Sequence, residues 1–80
     1  MWNTMKLSIE YCNAWNYLPR AARMATELLE KYGTDIRSLT LIPSGGGVYE
    51  VETDGKLIYS KKKTGEFPEL KDVTSILDKS

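Results

Sequence analysis

Apolar and polar side chains alternate from Lys6 to Tyr11, with Leu7, Ile9 and Tyr11 on one side and Lys6, Ser8 and Glu10 on the other. This is the two-residue period of a strand with one buried face. From Tyr17 to Tyr32 the period becomes helical: Leu18, Ala21, Ala22, Ala25, Leu28, Leu29 and Tyr32 share a stripe, and Arg20, Arg23, Glu27, Glu30 and Lys31 take the opposite face. Asn16 is the expected N-cap, Pro19 fits the first turn, and Gly33 suits the left-handed position after the last. Glu27 with Lys31 makes a favourable i,i+4 pair. Ile36 to Pro43, with Ile36, Leu39, Leu41 and Ile42, reads as a second strand. Val48 to Thr53 and Lys56 to Ser60 flank Asp54-Gly55, a two-residue hairpin signal. Lys61 to Gly65 is expected to be a polar loop or frayed strand end. Phe67-Pro68 then introduces a last helix with Leu70, Val73, Ile76 and Leu77 on one face, to about Asp78.

A strand, a helix and a strand in succession form a right-handed parallel unit, and the Asp-Gly hairpin adds an antiparallel pair. The predicted fold is therefore a two-layer α/β arrangement in the order β-α-β-β-β-α. Its four-stranded mixed sheet has the first strand central, and both helices cover one face. Eighty residues are enough for one core and too few for two, so residues 1–80 read as a single domain with a core of about 6–78.

Composition narrows the function. With 41% hydrophobic and 28% charged residues the chain reads as globular. Eleven basic residues balance eleven acidic ones, so neither nucleic acid nor an anionic membrane is an expected partner. There is no histidine, which removes Cys-His catalysis, and with a single cysteine no zinc site is expected. One cysteine cannot close an internal disulfide, and Met1 to Met5 lacks the basic start and apolar run of a secretory signal. A reducing cytoplasm is the expected compartment, so the localisation expected is cytoplasmic.

That single cysteine, Cys12, falls where the strand pattern gives way to the helical one. A thiol in a loop feeding a helix N-terminus can be held as a thiolate, the attacking species in disulfide exchange. The competing reading is an inert, small apolar residue in the sheet. Trp15 stands three residues on, where a Cys-x-x-Cys motif carries its second sulfur. Ser44 to Gly47 precedes a strand rather than a helix and lacks a following Gly-Lys-Ser/Thr, so it reads as a turn and not a phosphate loop. Trp15 and Tyr17 are candidate surface aromatics through which chains can associate, leaving a monomer or a weak homodimer.

Tyr11-Cys12-Asn13-Ala14-Trp15, Leu18-Pro19-Arg20-Ala21-Ala22, the run from Leu41 through Gly45-Gly46-Gly47 to Val51, Asp54-Gly55 and Gly65-Glu66-Phe67-Pro68-Glu69 resemble, in the same order, the selenoprotein W-like family, the Rdx group of the SelT/SelW/SelH proteins. The resemblance implies a thioredoxin-like fold and a Cys-x-x-Cys or Cys-x-x-selenocysteine motif after the first strand. It implies thiol or selenol redox chemistry linked to glutathione or protein thiols, with no bound cofactor and with 14-3-3-type scaffold partners for some members. Cys12 matches the first redox position and Trp15 the second. Asn13, Ala14, Tyr17, Gly45, Gly46 and Phe67 are the expected substrate- or partner-binding residues around them. Trp15 departs from the family pattern. It is a natural loss of the second redox group, an engineered replacement, or a tryptophan codon standing one base from the selenocysteine codon. A non-enzymatic interaction module on the same fold is the alternative reading.

Overall fold

The computed structural model describes residues 4–79. Its first strand, β1 (Met5–Cys12), lies between parallel β2 (Ile36–Ser44) and antiparallel β3 (Tyr49–Thr53), and β3 carries β4 (Lys56–Ser60), giving the order β2-β1-β3-β4. The connection from β1 to β2 is α1 (Leu18–Tyr32) with one turn of 3-10 helix at Gly33–Asp35. Its 15 residues span roughly 22 Å, enough to carry the chain back along β1. The last long helix is α3 (Leu70–Leu77).

One core forms on one face of the sheet. Leu7, Ile9, Tyr11, Tyr49 and Val51 pack there against Ala21, Met24, Ala25 and Leu28 of α1 and Val73 and Leu77 of α3. Both long helices therefore lie on the same side, as the pattern predicts. The other face carries Ser8, Glu10, Glu50 and Glu52, all half-buried. At the hairpin, Asp54 and Gly55 both take positive φ, 52° and 80°, as a primed turn requires. Asp54 also closes the turn onto β1, since its N–H donates to the Lys6 carbonyl at 2.8 Å and its carboxylate accepts from the Lys6 N–H at 3.1 Å.

Several expected details are corrected. Asn16 is not the N-cap; that position belongs to Tyr17, which has no side-chain capping bond, and α1 starts at Leu18. Asn16 instead ends the preceding turn with φ 58°, a left-handed conformation that asparagine tolerates. The buried arc of α1 is Ala21, Met24, Ala25 and Leu28, so Met24 joins the core while Leu18 and Leu29 sit on exposed shoulders. Arg23, not Lys31, pairs with Glu27, at 3.8 Å. Lys31 reaches Asp78 across the helix pair at 3.9 Å, and the Tyr32 hydroxyl donates to the same carboxylate at 2.7 Å. Burial, then the Asp78 hydrogen bond and charge, push the Tyr32 phenol above its ordinary range. The second strand runs one residue past Pro43, which an edge strand tolerates because it is paired on only one side.

Lys61 to Gly65 is neither loop nor frayed strand but a helical turn, α2 (Lys61–Thr64), followed by Gly65 at φ 79°. Its determinants are flanking residues. Ser60 caps it by accepting from the Lys63 N–H at 3.2 Å, and the Ser60 hydroxyl donates to Glu50 at 2.5 Å. Ser60 is buried and serves both ends of this link, so Ser60→Ala should cost about 1–3 kcal/mol by losing the cap and leaving Glu50 short of a donor. Urea unfolding monitored by circular dichroism measures the loss. A midpoint unchanged from the parent would show that α2 does not depend on this cap.

Candidate functional site

Cys12 ends β1 and enters a tight reversal. The Asn16 N–H donates to the Asn13 carbonyl at 3.1 Å, and the Tyr17 N–H donates to the Cys12 carbonyl at 3.1 Å. The turn thus returns the chain to the end of the strand it has just left, and α1 begins beside Cys12. Two further bonds join this reversal to the Ser44–Gly47 connection. Asn13 N–H donates to Ser44 C=O, and Cys12 N–H to Val48 C=O, each at 2.9 Å.

The side chain of Cys12 is wholly buried, and it is a free thiol. An open thiol at the helix mouth is therefore not what the structure presents. The residue does sit next to the first turn of α1, but its sulfur has no contact with solvent. Asn13, Ala14 and Asn16 around it are exposed.

Trp15 projects from the turn with 62% of its surface exposed, yet its ring lies on the backbone of Gly47. A Cβ built at Gly47 would fall 2.4 Å from Trp15 Cζ3 and 2.9 Å from Cε3. Gly47 also has φ +72°, so both backbone and neighbour demand glycine here. Gly45 and Gly46, the two expected binding glycines, would meet nothing within 4 Å. The glycine that faces the indole is thus Gly47, and three adjacent glycines carry no mark in the sequence of which one it will be.

From Trp15 a chain of edge-to-face rings runs inward: Trp15 to Tyr17 at 6.2 Å between centroids, Tyr17 to Phe67 at 4.7 Å, and Phe67 to Tyr49 at 5.6 Å. Such contacts hold rings in fixed relation beyond the area they bury. Tyr17 is accordingly half-buried rather than a free surface aromatic, and Phe67 packs against it. The Tyr59 hydroxyl places the Phe67 segment by donating to the Glu66 carbonyl at 2.8 Å.

Phe67 also gathers two cations, with Arg20 Cζ 4.0 Å and Lys61 Nζ 5.2 Å from its centroid. Tyr49 donates its hydroxyl to the Arg20 carbonyl at 3.3 Å. Burial pushes the Tyr49 phenol up to about 12, with the Arg20 charge pulling the other way. Nothing in the sequence pattern assigns Arg20 and Tyr49 to the site. The helical period puts Arg20 on the solvent face, and only the fold shows that Phe67 covers that part of it.

Residues 6–79 match the Rdx family. The chain belongs to the Rdx family. Among its relatives it is 32% identical to selenoprotein W of Danio rerio over 65 residues, 80% of this chain and 76% of that one. It is 31% identical to migration and invasion enhancer 1 of Bos taurus over 70 residues, 86% of this chain but 58% of that protein, so it spans little more than half of that relative's length. The crystal structure of a Bordetella parapertussis protein superposes with a TM-score of 0.90 at 33% identity, covering 94% of this chain and 95% of the other. A selenoprotein W-related protein from Vibrio cholerae gives 0.87 at 33% identity and 91% of both chains. This Rdx chain is thus selenoprotein W-like, with a thioredoxin-like α/β fold. Among its described residues no helix is long and apolar enough to cross a membrane, and no group of acidic, cysteine or histidine side chains is arranged to hold a metal ion.

Proposed function

We propose that this Rdx protein exchanges disulfides through Cys12 in the cytoplasm, with glutathione or a protein thiol as its partner. The observation that supports this reading is the place of Cys12. It ends the central strand beside the start of α1, on the side of the sheet where α/β folds carry their sites, and family membership adds to it. In the exchange the Cys12 thiolate attacks a disulfide sulfur of oxidised glutathione, a mixed disulfide forms on Cys12, and one glutathione thiolate leaves. Trp15 has no sulfur to release the adduct from within, so a second outside thiol must do it. In this reading position 15 is the place of a cysteine or selenocysteine, and an ordinary tryptophan triplet in the source genome would refute that part.

Because Cys12 is closed off, exchange requires a local opening around it, and the adduct should form at least about tenfold more slowly on the native protein than in denaturant. Mass spectrometry after incubation with oxidised glutathione should find one glutathione on the native chain and none on Cys12→Ser. Absence of the adduct on the native chain, with formation only after unfolding, would overturn the proposal.

The burial of Cys12 beside an exposed Trp15 favours a second reading, an interaction module that holds a partner by its aromatic turn. Under it, partner binding survives Cys12→Ser and is lost with Trp15→Ala.

A further inference from the structure

A cleft of about 650 Å³ lies between α1 and the segment from Phe67 to Leu70, within the usual range for a ligand site. Its apolar lining is Pro19, Met24, Phe67, Pro68 and Leu70, and its charged lining is Arg20, Arg23, Glu27 and Glu69; Lys61 stands outside the lining, against the Phe67 ring that forms part of it. The charges around it are unevenly matched. Glu27 lies 3.8 Å from Arg23, and Glu69 lies 4.0 Å from Lys71. Arg20 and Lys61, in contrast, have no carboxylate partner among the described residues, and neither does Glu66 pair with them. Both are held by the Phe67 ring, and Lys61 lies 5.6 Å from Tyr17 as well.

A cation held against an aromatic ring keeps its hydrogen-bond donors for another partner while losing much of its freedom to move. The backbone that carries them is held too, that of Arg20 by the Tyr49 hydroxyl on its carbonyl and that of Lys61 in the first turn of α2. Two cations so fixed, beside an apolar cleft, match carboxylates that arrive together with an apolar side chain. We propose that this cleft binds an acidic peptide segment of a partner protein, its carboxylates paired with Arg20 and Lys61 and an apolar side chain over Met24, Pro68 and Leu70. The site needs no sulfur chemistry, so it stands or falls separately from exchange at Cys12.

A blocked tetrapeptide of three glutamates and one leucine tests this by amide chemical-shift titration of the whole chain, with the glutamine counterpart as control. The expected result is saturable shifts centred on Arg20, Lys61 and Phe67 for the glutamate peptide, weakened by salt and absent for the glutamine peptide. Arg20→Gln and Lys61→Gln, each with its spectrum otherwise unchanged, should each weaken binding about tenfold. Arg37→Gln, on exposed β2 at the opposite edge of the sheet, removes the same charge and should not. Shifts centred elsewhere, equal binding of the glutamine peptide, an equal loss with Arg37→Gln, or equal displacement by inorganic phosphate would overturn the proposal.

Discussion

Gly47→Ala should lower stability by about 1–3 kcal/mol and release the Trp15 ring, whereas the same change at either neighbouring glycine should not do both. The three positions separate two causes. Gly45 has no positive φ and open space where a Cβ would go, so Gly45→Ala should be near neutral. Gly46 has φ +70° and the same open space, so its replacement carries only the backbone cost. At Gly47 the φ of +72° is joined by the clash with Trp15 Cζ3. The indole is the part that yields, because it is mostly exposed while Gly47 is fixed between Ser44 and Val48, both bonded to the Cys12 turn. For a domain of this size the loss corresponds to a drop in Tm of roughly 4–24 °C, readable by calorimetry. Tryptophan emission should shift to the red as the ring leaves Gly47, and Cys12 should react faster with a thiol reagent. Equal losses at Gly46 and Gly47 with unchanged emission would show that the indole contact contributes nothing.

The alternation of Leu7, Ile9 and Tyr11 and the Asp54-Gly55 pair were enough to read the sheet, because each is a short-range signal with one structural solution. The helical stripe located α1 but not its edges. Leu18 and Leu29 satisfy the period, yet they lie exposed beside the buried arc of Ala21, Met24, Ala25 and Leu28. The Ser60 cap and Gly65 were visible as residues, but three consecutive lysines suggested solvent rather than a helical turn. What remained hidden was relational. Phe67 meets Tyr17, Tyr49, Arg20 and Lys61, which lie between 6 and 50 positions away in sequence, and no local pattern encodes their meeting. The same holds for Cys12. Its position after an alternating strand was legible, but the parity of that strand does not say that the thiol will be wholly buried.

Trp15→Cys should convert Cys12 from a thiol that depends on outside reductant into one member of an internal pair. The reversal at 13–16 returns the chain to the end of β1, with the Tyr17 N–H on the Cys12 carbonyl. Residues 12 and 15 both face the Gly47–Val48 segment, one through its N–H and the other through its ring. The reversal keeps positions 12 and 15 within one tight turn, and a disulfide sets a short Cα separation that the oxidised variant tests directly. Once glutathione is joined to Cys12, the introduced thiolate at position 15 attacks the Cys12 sulfur, a disulfide closes between the two positions, and glutathione leaves as its thiolate. An attack from three residues away replaces a bimolecular step by an intramolecular one, so release should be faster by at least about a hundredfold at millimolar external thiol. Two measurements decide the matter. Thiol counting after mild oxidation should fall from two to none per chain, and the glutathione adduct that persists on the parent should become transient on the variant. If both thiols stay free under conditions that glutathionylate the parent, the turn does not hold positions 12 and 15 as a redox pair. The aromatic turn would then be better understood as a surface for holding a partner.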